Sequence, residues 1–114
     1  VRTSSAKAKG RRLCQSVVDL LLAAFDTLQP DDLIVTSSGA TGEDIRLSPL
    51  ARQKFPFSVE CKNQEKLNIW EALKQAESNC GKFTPLLIFS RNRSKTYAVV
   101  ELSEFIKLVS HDKR

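Results

Sequence analysis

The run Leu86-Leu87-Ile88-Phe89-Ser90 constrains the fold of this chain more than any other stretch. Successive side chains on a strand point to opposite faces, so four apolar residues in a row cannot line a sheet with one wet side. The run predicts a central strand covered on both faces. Ahead of it lies a helical pattern from about Asn68 to Asn79, with Ile69, Ala72, Leu73, Ala76 and Cys80 on one face and Gly81 as its terminator. Ahead of that helix, Phe57 to Asn63 reads as another strand. Strand, helix and buried strand in succession imply a right-handed parallel crossover.

The flanking segments extend this unit. From about Ser5 to Leu28, the residues Leu13, Val17, Leu20, Leu21, Ala24, Phe25 and Leu28 recur at helical spacing, with Gln15 and Asp19 on the polar border. Pro30 is expected to end that helix, since proline lacks the amide hydrogen and disfavours helix at Gln29. Leu33 to Ser37 and Glu43 to Leu47 read as strands around a glycine-containing turn over residues 37–42, and Ser48-Pro49 starts a helical turn through Arg52. Short links between the first three strands suggest an antiparallel meander. Tyr97 to Leu102 gives a further strand, and Ser103 is expected to cap a last helix through Val109. The order α, β, β, β, α, β, β, α predicts the α/β class, with a mixed sheet of the α+β kind flanked by helices.

With 114 residues, 41% of them apolar and 27% charged, the chain has material for one hydrophobic core and no compositional sign of disorder. No window approaches a membrane span, and the basic, polar start lacks a signal core, so an intracellular protein is expected, cytoplasmic or nucleoid-associated. Cys14, Cys61 and Cys80 are widely spaced and odd in number, which argues against both a disulfide framework and a zinc site and for small buried side chains. His111 sits in a charged tail and receives no role. The net charge of +5 is uneven: Arg2, Lys7, Lys9, Arg11 and Arg12 form one cluster, and Arg91, Arg93 and Lys95 another. Such clusters fit a polyanion partner, and equally a solubilising tail.

The stretch Ser-Val-Glu-Cys-Lys-Asn, residues 58–63, sets Glu60 and Lys62 on one face of a strand whose other face carries Val59 and Cys61. Asp44, sixteen positions before Glu60, lies at the start of the second strand. Carboxylates that converge repel one another, and a hard divalent cation removes the penalty by binding their oxygens. A lysine beside them can position or deprotonate an attacking water, or stabilise charge developing on a phosphate. The plain alternative is a solvent-facing Glu-x-Lys pair and a turn aspartate.

An acid at the start of the second strand followed by (D/E)-x-K on the third resembles the PD-(D/E)XK nuclease superfamily, and within it the small Holliday-junction resolvase-like and phage-type nucleases. Asp44, Glu60 and Lys62 match that pattern over roughly residues 10–90. The resemblance implies a restriction-endonuclease-like αβββαβ core with an added C-terminal strand and helix. It divides the chain into a basic arm over residues 1–10 and one nuclease domain over 11–114. It also implies a magnesium-dependent DNA endonuclease, with manganese as a substitute, acting as a homodimer on branched DNA. Asp44 and Glu60 would hold the metal and Lys62 would assist the water. Gln75 resembles a supporting helix glutamine, and Gln15 stands where many relatives carry a first-helix glutamate. Arg11, Arg12, Arg46, Asn63, Arg91 and Arg93 become candidate DNA contacts, with Gln64 beside Asn63. The alternatives are a DNA-binding module of the same fold without efficient chemistry, and a basic adaptor for another protein.

Overall fold

A computed structural model describes residues 2–36 and 42–111. Helix α1 spans Arg2–Ala24, and a 3-10 turn over Pro30–Asp32 leads into β1 (Leu33–Val35) and β2 (Ile45–Leu47). Helix α2 (Pro49–Lys54) precedes β3 (Phe57–Asn63), α3 (Ile69–Asn79), β4 (Thr84–Ser90), β5 (Tyr97–Val99) and α4 (Leu102–His111). This is a mixed α/β arrangement compatible with the PD-(D/E)XK fold.

The apolar run occupies the central strand. β4 pairs in parallel with β3, from Phe57 opposite Thr84 to Asn63 opposite Ser90, and antiparallel with β5, from Leu87 opposite Val99 to Phe89 opposite Tyr97. Alternation sends Val59, Cys61, Leu86 and Ile88 into one core with Leu13, Cys14, Val17, Val18 and Leu21 of α1 and with Ile45 and Leu47 of β2. Leu87 is buried on the opposite face, where Ala72 and Ala76 of α3 let that helix approach β3 and β4 closely. Each large aliphatic side chain buried this way contributes about 1.5–3 kcal/mol. Asn68 caps α3 by accepting the Glu71 amide at 3.1 Å, and Gly81 takes φ +55 just past its end.

Several sequence expectations need correction. The three-strand meander does not form: β1 and β2 make a two-stranded antiparallel ladder, and β3 belongs to a separate three-stranded sheet. Helix α1 stops at Ala24, before Pro30 could end it. A turn closed by the Leu28 amide on the Phe25 carbonyl at 3.0 Å buries Leu28, and that burial outweighs the small gain from extending a helix by a few residues. The buried stripe of α1 runs through Cys14 and Val18, whereas Leu20 is 67% exposed. β1 ends at Val35, and residues 37–41 of the expected turn lie outside the described residues. β5 ends at Val99 because the Glu101 carbonyl already accepts the Glu104 and Phe105 amides, which opens α4 at Leu102. Ser103 lies inside that helix and donates to Glu101 Oε1 at 2.9 Å. The helix expected from about Ser5 begins earlier, at Arg2, so that residues 2–10 of the basic segment are helical.

Two surface features stand out. Leu102, Phe105, Ile106, Leu108 and Val109 of α4 are between 41% and 71% exposed. Glu104, on the polar side of α4, touches the body, where Thr84 Oγ1 donates to its Oε1 at 3.4 Å. Trp70, off the apolar stripe of α3, is also largely exposed and borders the same side of the molecule as Glu101 and Glu104. Among the described residues no helix is long and apolar enough to cross a membrane.

Candidate active site

Asp44 joins the two sheets. Its amide donates to the Val59 carbonyl at 2.9 Å, and its Oδ2 accepts the Cys61 amide at 2.7 Å. The side chain thus takes a bond that a neighbouring strand would supply in a continuous ladder, which is why β2 and β3 meet at one residue and then part. On the β1 side, the Thr36 amide and hydroxyl both donate to the Asp44 carbonyl, at 2.9 and 3.2 Å. Gly42 precedes this junction at φ +98, a conformation that a side chain would strain.

Arg52 of α2 braces the same place. It forms an ion pair with Glu43, donates to the Phe57 carbonyl at 3.1 Å, and lies 4.0 Å from the centroid of the Phe83 ring. One guanidinium therefore ties the residue before Asp44 to the first residue of β3 and to the segment entering β4. Ser48 positions α2: its Oγ accepts the Ala51 amide at 3.1 Å and donates to Asp32 Oδ1 at 2.6 Å.

Glu60 is not the solvent-facing residue of an ordinary Glu-x-Lys pair, being only 3% exposed. Its Oε2 lies 3.7 Å from Lys62 Nζ, and its Oε1 accepts from Asn79 Nδ2 of α3 at 3.4 Å. Both contacts are long, so the carboxylate is only lightly neutralised. Burial raises the Glu60 pKa above the ordinary carboxylate value and the charge on Asp44 adds to the rise, against the opposing effects of Lys62 and Asn79. Burial likewise raises Asp44, opposed by the Cys61 amide and by Lys62. A buried carboxylate and a half-buried one that repel each other beside one ammonium group make an all-oxygen donor set with unbalanced negative charge. Such a set fits a hard divalent cation.

Asp44, Glu60 and Lys62 open onto a cleft of about 350 Å³ between α1, the β2–β3 junction and α3. Arg11, Asn63, Gln64 and Gln75 line it too, together with Lys7 and Thr36. Gln15 is elsewhere: it is exposed, donates to Asp19 Oδ1 at 3.1 Å, and shares a neighbouring hollow with Arg11 and Arg12. Arg46 is exposed on β2 opposite Ile34. Arg91 borders a second groove that begins at Gln64, while Arg93 is exposed in the β4–β5 turn at φ 60. Sequence reasoning missed Asn79, Lys7 and Thr36. A signal existed for Asn79, which follows Gln75 by one helical turn and so shares its face of α3.

An α/β core with a carboxylate at the β2–β3 junction and Glu-x-Lys on β3 is that of the PD-(D/E)XK nuclease superfamily, whose members typically use divalent metal ions. The family model described as "Phage putative PDDEXK endonuclease" matches residues 5–114, and the chain belongs to that family. No curated protein and no solved structure matches it.

Proposed function

We propose that this chain is a magnesium-dependent DNA endonuclease whose chemistry takes place in the cleft of Asp44, Glu60 and Lys62. The observation that carries the proposal is the burial of Glu60 beside Asp44 with a single ammonium partner at 3.7 Å. Asp44 and Glu60 would hold the cation, magnesium or in its place manganese, which when bound supplies Lewis-acid stabilisation of charge on the phosphodiester. Lys62 reaches the cleft from the same strand face as Glu60, so its Nζ orients the attacking water and offers a donor to the phosphoryl oxygens. Asn79 steadies Glu60, and Gln75, one turn away, holds solvent or substrate above it. In-line displacement then leaves 5′-phosphate and 3′-hydroxyl ends, as the superfamily implies.

The surroundings support a nucleic-acid substrate. Lys7 and Arg11 bring positive charge to the α1 side of the cleft, and Asn63, Gln64 and Arg91 continue a polar path toward the β4–β5 turn. Arg12, Arg46 and Arg93 extend the basic surface beyond it. Each phosphate neutralised releases counterions, so binding should weaken steeply with salt. A branched duplex is the preferred substrate in this proposal, because a homodimer would present two clefts to two strands.

The decisive experiment is cleavage of labelled linear, flapped, four-way and single-stranded DNA with magnesium, manganese or chelator. Wild type cuts with metal, whereas Asp44→Asn and Lys62→Ala bind DNA with unchanged salt dependence and lose at least about a hundredfold in rate. Salt-sensitive binding without cleavage of any substrate would instead establish a binding module.

A further inference from the structure

Cys14 and Cys61 do more than fill the core. Cys14 Sγ, Cys61 Sγ and a carboxylate oxygen of Asp44 all lie within 4.8 Å of one another. They come from α1, from the junction ahead of β2 and from β3, so the tertiary fold alone brings them together. Both thiols are free, 4% and 7% exposed, and both border the cleft. The cluster is therefore enclosed on the core side and open toward the cleft, from which a fourth ligand could come.

We propose that Cys14, Cys61 and Asp44 form a cation site for zinc, distinct in chemistry from the carboxylate site of Asp44 and Glu60. Zinc binds thiolate sulfur at about 2.3 Å and carboxylate oxygen at about 2.0–2.2 Å in a tetrahedron, which sets the ligand atoms roughly 3.5–3.8 Å apart. Side-chain adjustments of about an ångström close the cluster to that geometry. Two sulfurs reject magnesium, which takes oxygen donors, and favour a softer ion. On binding, each S–H bond gives way to an S–Zn bond and its proton passes to solvent, so two protons leave for each zinc bound.

Asp44 belongs to both sites. A zinc ion held by the thiolates occupies the carboxylate that the magnesium site needs, so zinc is a competitive brake on cleavage. That consequence rests on the nuclease proposal, whereas the site itself does not.

The test uses the full chain, kept reduced with a phosphine, and cobalt(II) as a spectroscopic probe. One equivalent should give a sulfur-to-cobalt charge-transfer band and d–d bands of tetrahedral intensity, displaced by zinc and not by excess magnesium. Cys80→Ser keeps the bands; Cys14→Ser and Cys14→Ala lose them and bind zinc more than roughly 100-fold more weakly, beyond the usual cost of an outer-shell change. Circular dichroism checks that these variants fold. If they do not, X-ray absorption at the zinc edge of the wild type still decides, with two sulfurs per zinc expected. An octahedral cobalt spectrum, bands that survive in a folded Cys14 variant, or a sulfur-free zinc environment overturns the site. Zinc bound at full occupancy without slowing magnesium-driven cleavage overturns the competition. Should the chain cut no DNA, the spectra alone judge the site.

Discussion

Glu60 is costly to keep charged, since burial and the neighbouring Asp44 both raise its pKa. It ionises less readily in the folded chain than in the unfolded one, and burial does the same to Asp44. Folding thus takes up protons above the ordinary carboxylate range of about pH 4. The metal-free chain loses stability as pH rises through the raised values and carries the penalty at every higher pH. Asp32 acts in the opposite sense: the Gln29 amide and the Ser48 hydroxyl lower its pKa, so its contribution is lost as pH falls through that lowered value. The difference between proteins isolates Glu60. In chelator, the melting temperature of Glu60→Gln should fall less than that of wild type between pH 4 and pH 7, and added magnesium should raise the wild type's alone. Parallel pH profiles would remove the case for a strained carboxylate. Glu60 and Lys62 were legible from strand alternation, since residues two apart share a face. Asn79 was legible only through its spacing of one helical turn from Gln75, and that Lys7 and Thr36 line the same cleft was not, because no spacing within one element reports which side chains meet across three.

Among the elements, α2 is short, yet it sets the junction. Arg52 binds Glu43, the Phe57 carbonyl and the Phe83 ring, and both members of its ion pair are largely buried. Arg52 holds Glu43 Oε2, and Oε1 has no hydrogen-bond partner among the described residues, so removing Arg52 strands a largely buried charge. Arg52→Ala should cost about 3 kcal/mol, seen as a lower urea midpoint with an unchanged slope, while its exposed neighbour Lys54→Ala stays within about 0.5 kcal/mol. An equal effect of the two substitutions would show that the clamp contributes nothing. Elements were readable where two independent signals coincide, as for α3, which has a capping Asn68, an apolar stripe and Gly81. The end of α1 was not, because burying Leu28 is a tertiary gain that overrides a local proline signal. The break between the sheets was equally hidden: it depends on a carboxylate, Asp44, taking a bond that sequence patterns assign to a strand.

At the scale of the whole molecule, the face left uncovered is the apolar arc of α4. A helix of ten residues is marginal in water without a partner for such an arc, and a second copy of the chain would supply a matching one. The proposed homodimer would use this face. Sedimentation should show a dimer for wild type and a monomer for Ile106→Glu, whose far-ultraviolet circular dichroism loses at most the signal of α4; a wild-type monomer at tens of micromolar would exclude it. The β3–β4 ladder has a different consequence, one of timing. Each residue of β3 pairs with a residue twenty-seven positions later, so the strand bearing Glu60 and Lys62 waits for a partner far down the chain. Closing such a separation costs entropy before any contact repays it, which makes this pairing a slow step. During synthesis, Asp44, Glu60 and Lys62 emerge well before the strand that shelters them. A ribosome-bound fragment ending before Thr84 thus holds every charged member of the triad without the sheet that sets their spacing.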